Sequence, residues 1–292
     1  MHDPNTGSPR LAVIVPCRDD GPLALEAVAS VREAEPVEVI VVDNGSAGAE
    51  TAAAMEELRG RGVRVVRRPP GSIGEGRMSG LAETGARFAF PLDADDLLLP
   101  GSLSRLAAAL EAAPGAAVAF GDFELFGRLE GVFRAPRRFD PWALTYANFI
   151  PSGSLLRREA VIAAGGWDFL NGMEDWDLWL KLAEAGWGGA RVEGPVYRKR
   201  VEGARAQALG RRNHRRLFAE LRRRHAGLFA SRRVLARASR PPLSARLAYP
   251  LLFGARNGGL VPPGIEAPVY RWMVGREKRR GGAAAASGPG RG

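Results

Sequence analysis

Apolar positions in the first 120 residues fall into short unbroken runs, separated by stretches in which they recur every three or four positions. The runs are LAVIV (11–15), VEVIVV (37–42), VRVV (63–66), RFAFPL (87–92) and AAVAF (116–120). Runs of this length and character predict strands buried on both faces. Between them, LALEAVASVREAE, AETAAAMEELRGRG and LSRLAAALEAAPG carry helical spacing and stop at Gly or Pro. Such alternation predicts an α/β fold with a mostly parallel central sheet flanked by helices.

The pattern loosens over residues 121–170 into aromatic, Arg-rich segments ending in Gly-Gly-Trp at 165–167. A helix is predicted at 174–185, followed by the extended piece ARVEGPVYRKR (190–200). Residues 204–240 read as helical and very basic, 241–268 are punctuated by Pro and Gly, and GGAAAASGPGRG is low in complexity. The expected organisation is a tail at 1–9, a catalytic domain at 10–203, a basic helical C-terminal extension at 204–280 and a disordered tail at 281–292.

Charge sharpens that division. Up to residue 190 there are 18 basic and 27 acidic side chains, and from 191 onward 24 basic and 5 acidic. Cys17 is the single cysteine, so no internal disulfide forms, which suits a reducing compartment. No apolar signal core or membrane-length apolar run is present, so the expected location is cytoplasmic. His2, His214 and His225 lie outside the predicted strands, which argues against zinc or a His-based triad.

Three predicted strands deliver carboxylates to one edge of the sheet, where ligands of open α/β folds gather. The first runs into Pro16-Cys17-Arg18-Asp19-Asp20, the second into Asp43-Asn44-Gly45-Ser46 and the fourth into Asp93-Ala94-Asp95-Asp96. Any one alone would serve as a cap or turn. Together, with no soft ligand near, they suit a hard cation, Mg²⁺ or Mn²⁺, whose remaining positions are filled by a diphosphate and water. GSIGEGR (71–77) fits neither a dinucleotide fingerprint nor a P-loop and reads equally as a plain loop.

A second stretch, NGMEDWDLWLKLAEAG (171–186), puts Asp175, Leu178, Trp179 and Leu182 on one helix face. Asp175 thus heads an inward stripe at the mouth of a cleft, the placement of a general base. Burial would raise its pKa and the helix N-terminus would lower it. Glu174 either caps the helix or assists Asp175. Asp177 and Lys181 are spaced as an i, i+4 pair on a solvated face.

VIVPCRD, VVDNGS, PLDADDLLLP and GGWDFLNGMEDWDLWLKLAEAGW, in that order over residues 11 to about 200, resemble the family 2 glycosyltransferases of the GT-A fold. The resemblance implies transfer of one sugar from a UDP-, GDP- or dTDP-sugar to a hydroxyl of a cell-surface glycan, lipid-linked or secondary-metabolite acceptor, with inversion. It further implies that Pro16, Arg18 and Asp19 line the nucleotide pocket, that Asp43 accepts from the base and that Arg77 meets the donor. Asp95 would ligate the metal, with Asp93 nearer the ribose and the metal's waters. Asp175 would be the base, with Glu174 and Trp176 on the acceptor side.

The chain departs from the family's pattern in three places. Arg18-Asp19 replaces Tyr-Asn, Met78 replaces Asn after Arg77, and YRKR (197–200) stands where a His is usual, so Arg198 or Arg200 is expected at the diphosphate. The element of processive polymerases is absent. Acceptor pockets of such folds come from the variable region, where Trp142, Tyr146 and Phe149 are candidates, or core. A haloacid dehalogenase-like phosphatase using Asp93 and Asp95 is the alternative, though Leu97 stands where such an enzyme wants Thr or Val.

The basic helices interleave arginines with Leu217, Phe218, Leu221, Leu228 and Phe229. They read either as a helix docked on the catalytic domain or as contact with an anionic membrane surface presenting a lipid-linked or cell-surface glycan acceptor. A nucleic-acid-binding role fits them less well.

Overall fold

A computed structural model of the chain describes residues 9–169, 172–201 and 211–253. The expected N-terminal tail up to residue 8, segment 202–210 and everything beyond 253 lie outside the described residues. Strands β1 (Leu11–Cys17), β2 (Val37–Asp43), β3 (Arg64–Arg67) and β4 (Phe88–Pro91) reproduce the predicted runs. They pair in parallel, β2 and β4 on either side of β1 and β3 beyond β2. All seven residues of β1 are buried, as an unbroken apolar run in a covered parallel sheet requires.

The chain continues through β5 (Leu97–Leu98), β6 (Ala116–Gly127), β7 (Gly131–Phe133), β8 (Leu155–Arg157) and β9 (Gly188–Val201). The strand order is β3-β2-β1-β4-β8-β6-β9-β5, with β7 beside β6. β6 and β9 are parallel, while β8 runs antiparallel to both β4 and β6. The α/β sheet is therefore parallel in its first half and mixed in its second. Strands of three residues such as β7 and β8 are too short to leave a periodic signal, which is why 121–170 looked unpatterned.

Helices α1 (Gly21–Ala29), α2 (Ala49–Gly60) and α4 (Ser102–Ala112) cover one face, packing on Leu11, Val13 and Val15. Ile14 points the other way, into a layer with α3 (Ile73–Ala82), α6 (Arg158–Ala163) and α7 (Glu174–Glu184). The segment 71–77, open between loop and phosphate site in the sequence, starts α3. Ser72 and Glu75 form a reciprocal capping box, a signature present in the sequence as S-x-x-E.

The basic segment folds as α8 (Arg211–Arg224), α9 (Ala226–Ala230), α10 (Arg232–Ser239) and α11 (Leu243–Phe253). Phe218, Leu221, Leu228 and Phe229 enter the same core as α7, so these side chains dock on the catalytic domain and are not offered to a membrane. Trp142 of α5 (Pro141–Leu144), Tyr146 and Phe149 are buried against Ala245, Tyr249 and Phe253 of α11, and so are core. Asp177, expected on a solvated face, is fully buried and meets His225 Nε2 at 3.0 Å, Arg224 Nε at 2.9 Å and Lys181 Nζ at 3.1 Å. An arginine-rich neighbour with its own apolar face converts that helix surface into an interface. No helix of the described residues is long and apolar enough to cross a membrane.

Candidate active site

The loops after β1 and β2 are welded together by Asp19. Its backbone is left-handed, with φ 57, and its Oδ1 accepts the Ala47 and Gly48 N–H groups at 2.9 and 3.1 Å. These bonds hold the Asp19 carboxyl below the usual carboxylate range. Asp19 thus builds the loop, while Arg18 beside it is exposed and Pro16 buried. Asp43 is buried, accepts the Ser46 N–H at 2.8 Å through Oδ1 and leaves Oδ2 3.7 Å from Arg67. Asn44 Nδ2 donates to the carbonyls of Gly71 and Ser72, tying this edge to the start of α3. The Cys17 thiol is buried, with its pKa pushed up to about 11, and is chemically quiet.

Arg77 is the centre of the cleft. It projects from α3, is 1% exposed, and donates to Asp93 Oδ1 at 2.8 Å and to Asp175 Oδ1 at 2.7 Å. Glu174 Oε1 is 3.8 Å away, and the guanidinium lies over the Trp167 ring. Trp167 Nε1 also donates to Asp175 Oδ1, at 3.0 Å. Asp93 and Asp175, separate in the sequence, are therefore held around one cation. Arg77 braces both, and its burial leaves it less open to the donor than expected. The carboxyl of Asp93 lies below its ordinary range: burial works against its charge, and Arg77 and then Lys199 outweigh it.

Glu174 sits at the first turn of α7 and accepts the Gly172 N–H at 2.9 Å, so it caps the approach to the helix. Burial, reinforced by Asp175, raises its pKa. Trp176 is 3% exposed, donates to the Leu144 carbonyl and packs on Phe218. The acceptor-side expectation for Trp176 is corrected: one position past Asp175, its side chain turns into the core.

Lys199 is the residue that sequence reasoning missed. Its Nζ lies 3.8 Å from Asp93 Oδ2 and 3.7 Å from Asp96 Oδ2. Burial opposes its charge, but Asp96 and Asp93 outweigh burial and raise its pKa. Of the two arginines expected here, Arg198 faces Glu124. Arg200 stays at the acidic strand end, its Nε donating to the Asp95 carbonyl at 3.0 Å and its Nη2 reaching Glu26. Both guanidiniums stack on Phe126. Arg200 also donates its backbone N–H to Asp96 Oδ1. Burial and the neighbouring aspartates push the Asp96 carboxyl well above its ordinary value. Beside Lys199 lies a cavity of about 140 Å³, lined by Phe123, Phe133, Asn148 and Ser152 among others.

Asp95 is exposed, and burial together with Asp93 raises its pKa. No group of three or more ligating side chains stands together among the described residues. The site nonetheless fits a hard cation held by few protein ligands. Asp93, Asp95, Asp96, Glu174 and Asp175 gather around Arg77 and Lys199, a concentration of carboxylates with Asp95 accessible among them.

A profile described as Glycosyl transferase family 2 matches residues 12–164. No curated protein sequence matches the chain. Among solved structures, S. aureus TarS 1–349 in complex with UDP-GlcNAc is similar over 91% of this chain and 84% of its own, at 17% identity and TM-score 0.58. The mannosyltransferase PcManGT from Pyrobaculum calidifontis, in complex with GDP-Man and Mn²⁺, is similar over 95% and 89%, at 17% identity and TM-score 0.55. These likenesses are likenesses of fold.

Proposed function

Because this chain belongs to glycosyl transferase family 2, we propose that it moves a single sugar from a nucleoside diphosphate sugar to an acceptor hydroxyl, with inversion at the anomeric carbon. The observation that carries this is the Arg77 bridge, which sets the donor-side Asp93 and the helix-borne Asp175 around one guanidinium. Membership of the family displaces the phosphatase alternative for Asp93 and Asp95 and leaves the basic segment as an accessory.

In this reaction the acceptor oxygen attacks the anomeric carbon from the side opposite the diphosphate. The glycosidic C–O bond forms as the bond to the diphosphate oxygen breaks, and the hydroxyl proton passes to Asp175. Oδ1 of Asp175 is committed to Arg77 and Trp167, which leaves Oδ2 for that proton. The fixed carboxylate acts as a positioned general base. Lys199 offers its ammonium to the departing diphosphate, where charge develops. Asp95, with Asp93, would hold Mn²⁺ or Mg²⁺, whose chemistry when bound is to neutralise that same charge. The structures of relatives bound to UDP-GlcNAc and to GDP-Man with Mn²⁺ support a nucleotide-sugar donor and a divalent cation.

The acceptor side is built by β6–β8 around the cavity beside Lys199. The acceptor is a cell-surface or lipid-linked glycan, met by a cytoplasmic enzyme peripheral to an anionic membrane face. The charge division of the chain supports that placement. A thermal-shift screen of UDP-, GDP- and dTDP-sugars with Mn²⁺ identifies the donor, since a ligand at 100 times its dissociation constant adds ~2.7 kcal/mol of stability. Product anomeric configuration by NMR then tests inversion. No donor producing a shift, or retention in the product, overturns the proposal.

A further inference from the structure

Residues 221–253 contain eight arginines and neither Asp nor Glu. Five of those arginines (Arg232, Arg233, Arg237, Arg240 and Arg246) line one cleft of about 600 Å³ between α10, α11 and the buried rings of Trp142 and Tyr146. Among the described residues no carboxylate pairs with any of the five. Arg232 is the most enclosed. It lies 4.1 Å over the Tyr146 ring and donates to Thr145 Oγ1 at 2.9 Å. Burial, and to a lesser degree Arg222, lower its pKa. A half-buried guanidinium beside four others, with no carboxylate partner among the described residues, is an unbalanced arrangement that an anion would balance.

The same helices carry most of the uncovered aliphatic surface. Of the large apolar side chains exposed among the described residues, Val234, Leu243, Leu247 and Leu251 belong to α10 and α11. Leu243 and Leu247 stand 68% and 62% exposed, one turn apart, on the face of α11 opposite Ala245 and Tyr249, which pack inward. Val234 follows Arg233, and Leu247 follows Arg246. A soluble polyanion would explain the arginines and leave these side chains unexplained. An anionic lipid surface accounts for both: phosphates for the guanidiniums, and the headgroup–acyl boundary for Leu and Val.

We infer that the α10–α11 cleft seats the phosphate of an anionic lipid headgroup while Val234, Leu243 and Leu247 enter the lipid boundary. The inference rests on the membrane-peripheral reading above and relocates the contact, from the docked apolar face of α8 and α9 to α10 and α11. It assigns the arginines of the cleft a ligand that the sugar-transfer site does not use.

The test is flotation of the full chain with vesicles of phosphatidylcholine alone or with phosphatidylglycerol, at low and high salt. Arg237→Glu/Arg240→Glu and Leu243→Ser/Leu247→Ser are run beside the wild type. Wild type is expected to float with phosphatidylglycerol vesicles at low salt only. The arginine pair should lower partitioning by more than about tenfold, since each basic residue near such a surface contributes ~1 kcal/mol, and the leucine pair should also weaken it. Equal binding to neutral vesicles, or no effect of the arginine pair, overturns the proposal. So does tripolyphosphate or oligonucleotide binding at the cleft without vesicle binding, which would assign it to a soluble phosphate ligand or a nucleic acid. UDP and GDP thermal shifts with Mn²⁺, measured on the same variants, are expected to stay as in wild type. Failed flotation with intact nucleotide shifts overturns the lipid site alone, and absent nucleotide shifts in wild type overturn the donor reading.

Discussion

Arg77 Nη1 donates to Asp175 Oδ1 at 2.7 Å, across 98 positions of sequence. With Asp93 on its other nitrogen, this buried guanidinium holds apart two carboxylates that would repel at close range. Removing it leaves their charge uncompensated in a poorly solvated cleft. Arg77→Ala is expected to cost ~3–5 kcal/mol, read as a lowered urea midpoint. Arg77→Lys keeps the charge but not the planar fork, and should fall between.

Asp175→Asn keeps the bonds from Trp167 and Arg77 to Oδ1 but cannot take the acceptor's proton. The turnover number is expected to fall ~10²–10⁴-fold while nucleotide-sugar affinity stays near wild type, because the loss is felt in the transition state. Steady-state kinetics beside calorimetric donor titration separates the two. Loss of donor affinity with normal turnover at saturation would place the base elsewhere.

Lys199 and the cation act on the same diphosphate and should separate by chelation. In EDTA, Lys199→Met is expected to weaken UDP or GDP binding by about tenfold or more, the loss of one charge-assisted contact. Asp95→Asn should leave that metal-free binding nearly intact and abolish its strengthening by Mn²⁺. Full turnover in EDTA would remove the metal from the reaction.

His225 makes the docking of α8 and α9 sensitive to pH. Burial alone would lower its pKa, but the bonds to Asp177 and Glu184 outweigh burial and raise it above its ordinary 6.5. A raised folded-state pKa contributes fully below the unfolded value, and that contribution is lost as pH rises through the folded one. Thermal midpoints are therefore expected to decline from about pH 6 towards pH 9, and His225→Gln should flatten that slope. An unchanged slope in the variant would exclude the histidine as its source.

What the sequence made legible follows from how far each signal depends on tertiary context. The buried strands, the acidic strand ends and the inward face of Asp175 are local patterns, and the structure assembles them as spaced. In β9 the period of two puts Tyr197 and Lys199 on one face and Arg198 and Arg200 on the other. With three cations in a row, nothing local says which face meets the aspartates; the burial of Tyr197 settles it. Asp177 misled for a related reason. An i, i+4 pair with Lys181 looks the same on a solvated helix and under a docked one, and its partners Arg224 and His225 arrive from 47 and 48 positions away.

The bridge from α3 to α7 also limits how such a transferase can be rebuilt. Exchanging residues 116–201 to import another acceptor specificity would carry the base away from its counter-ion, which stays behind on α3. The unit that can be transplanted intact is therefore discontinuous, the later segment together with the helix that bears Arg77.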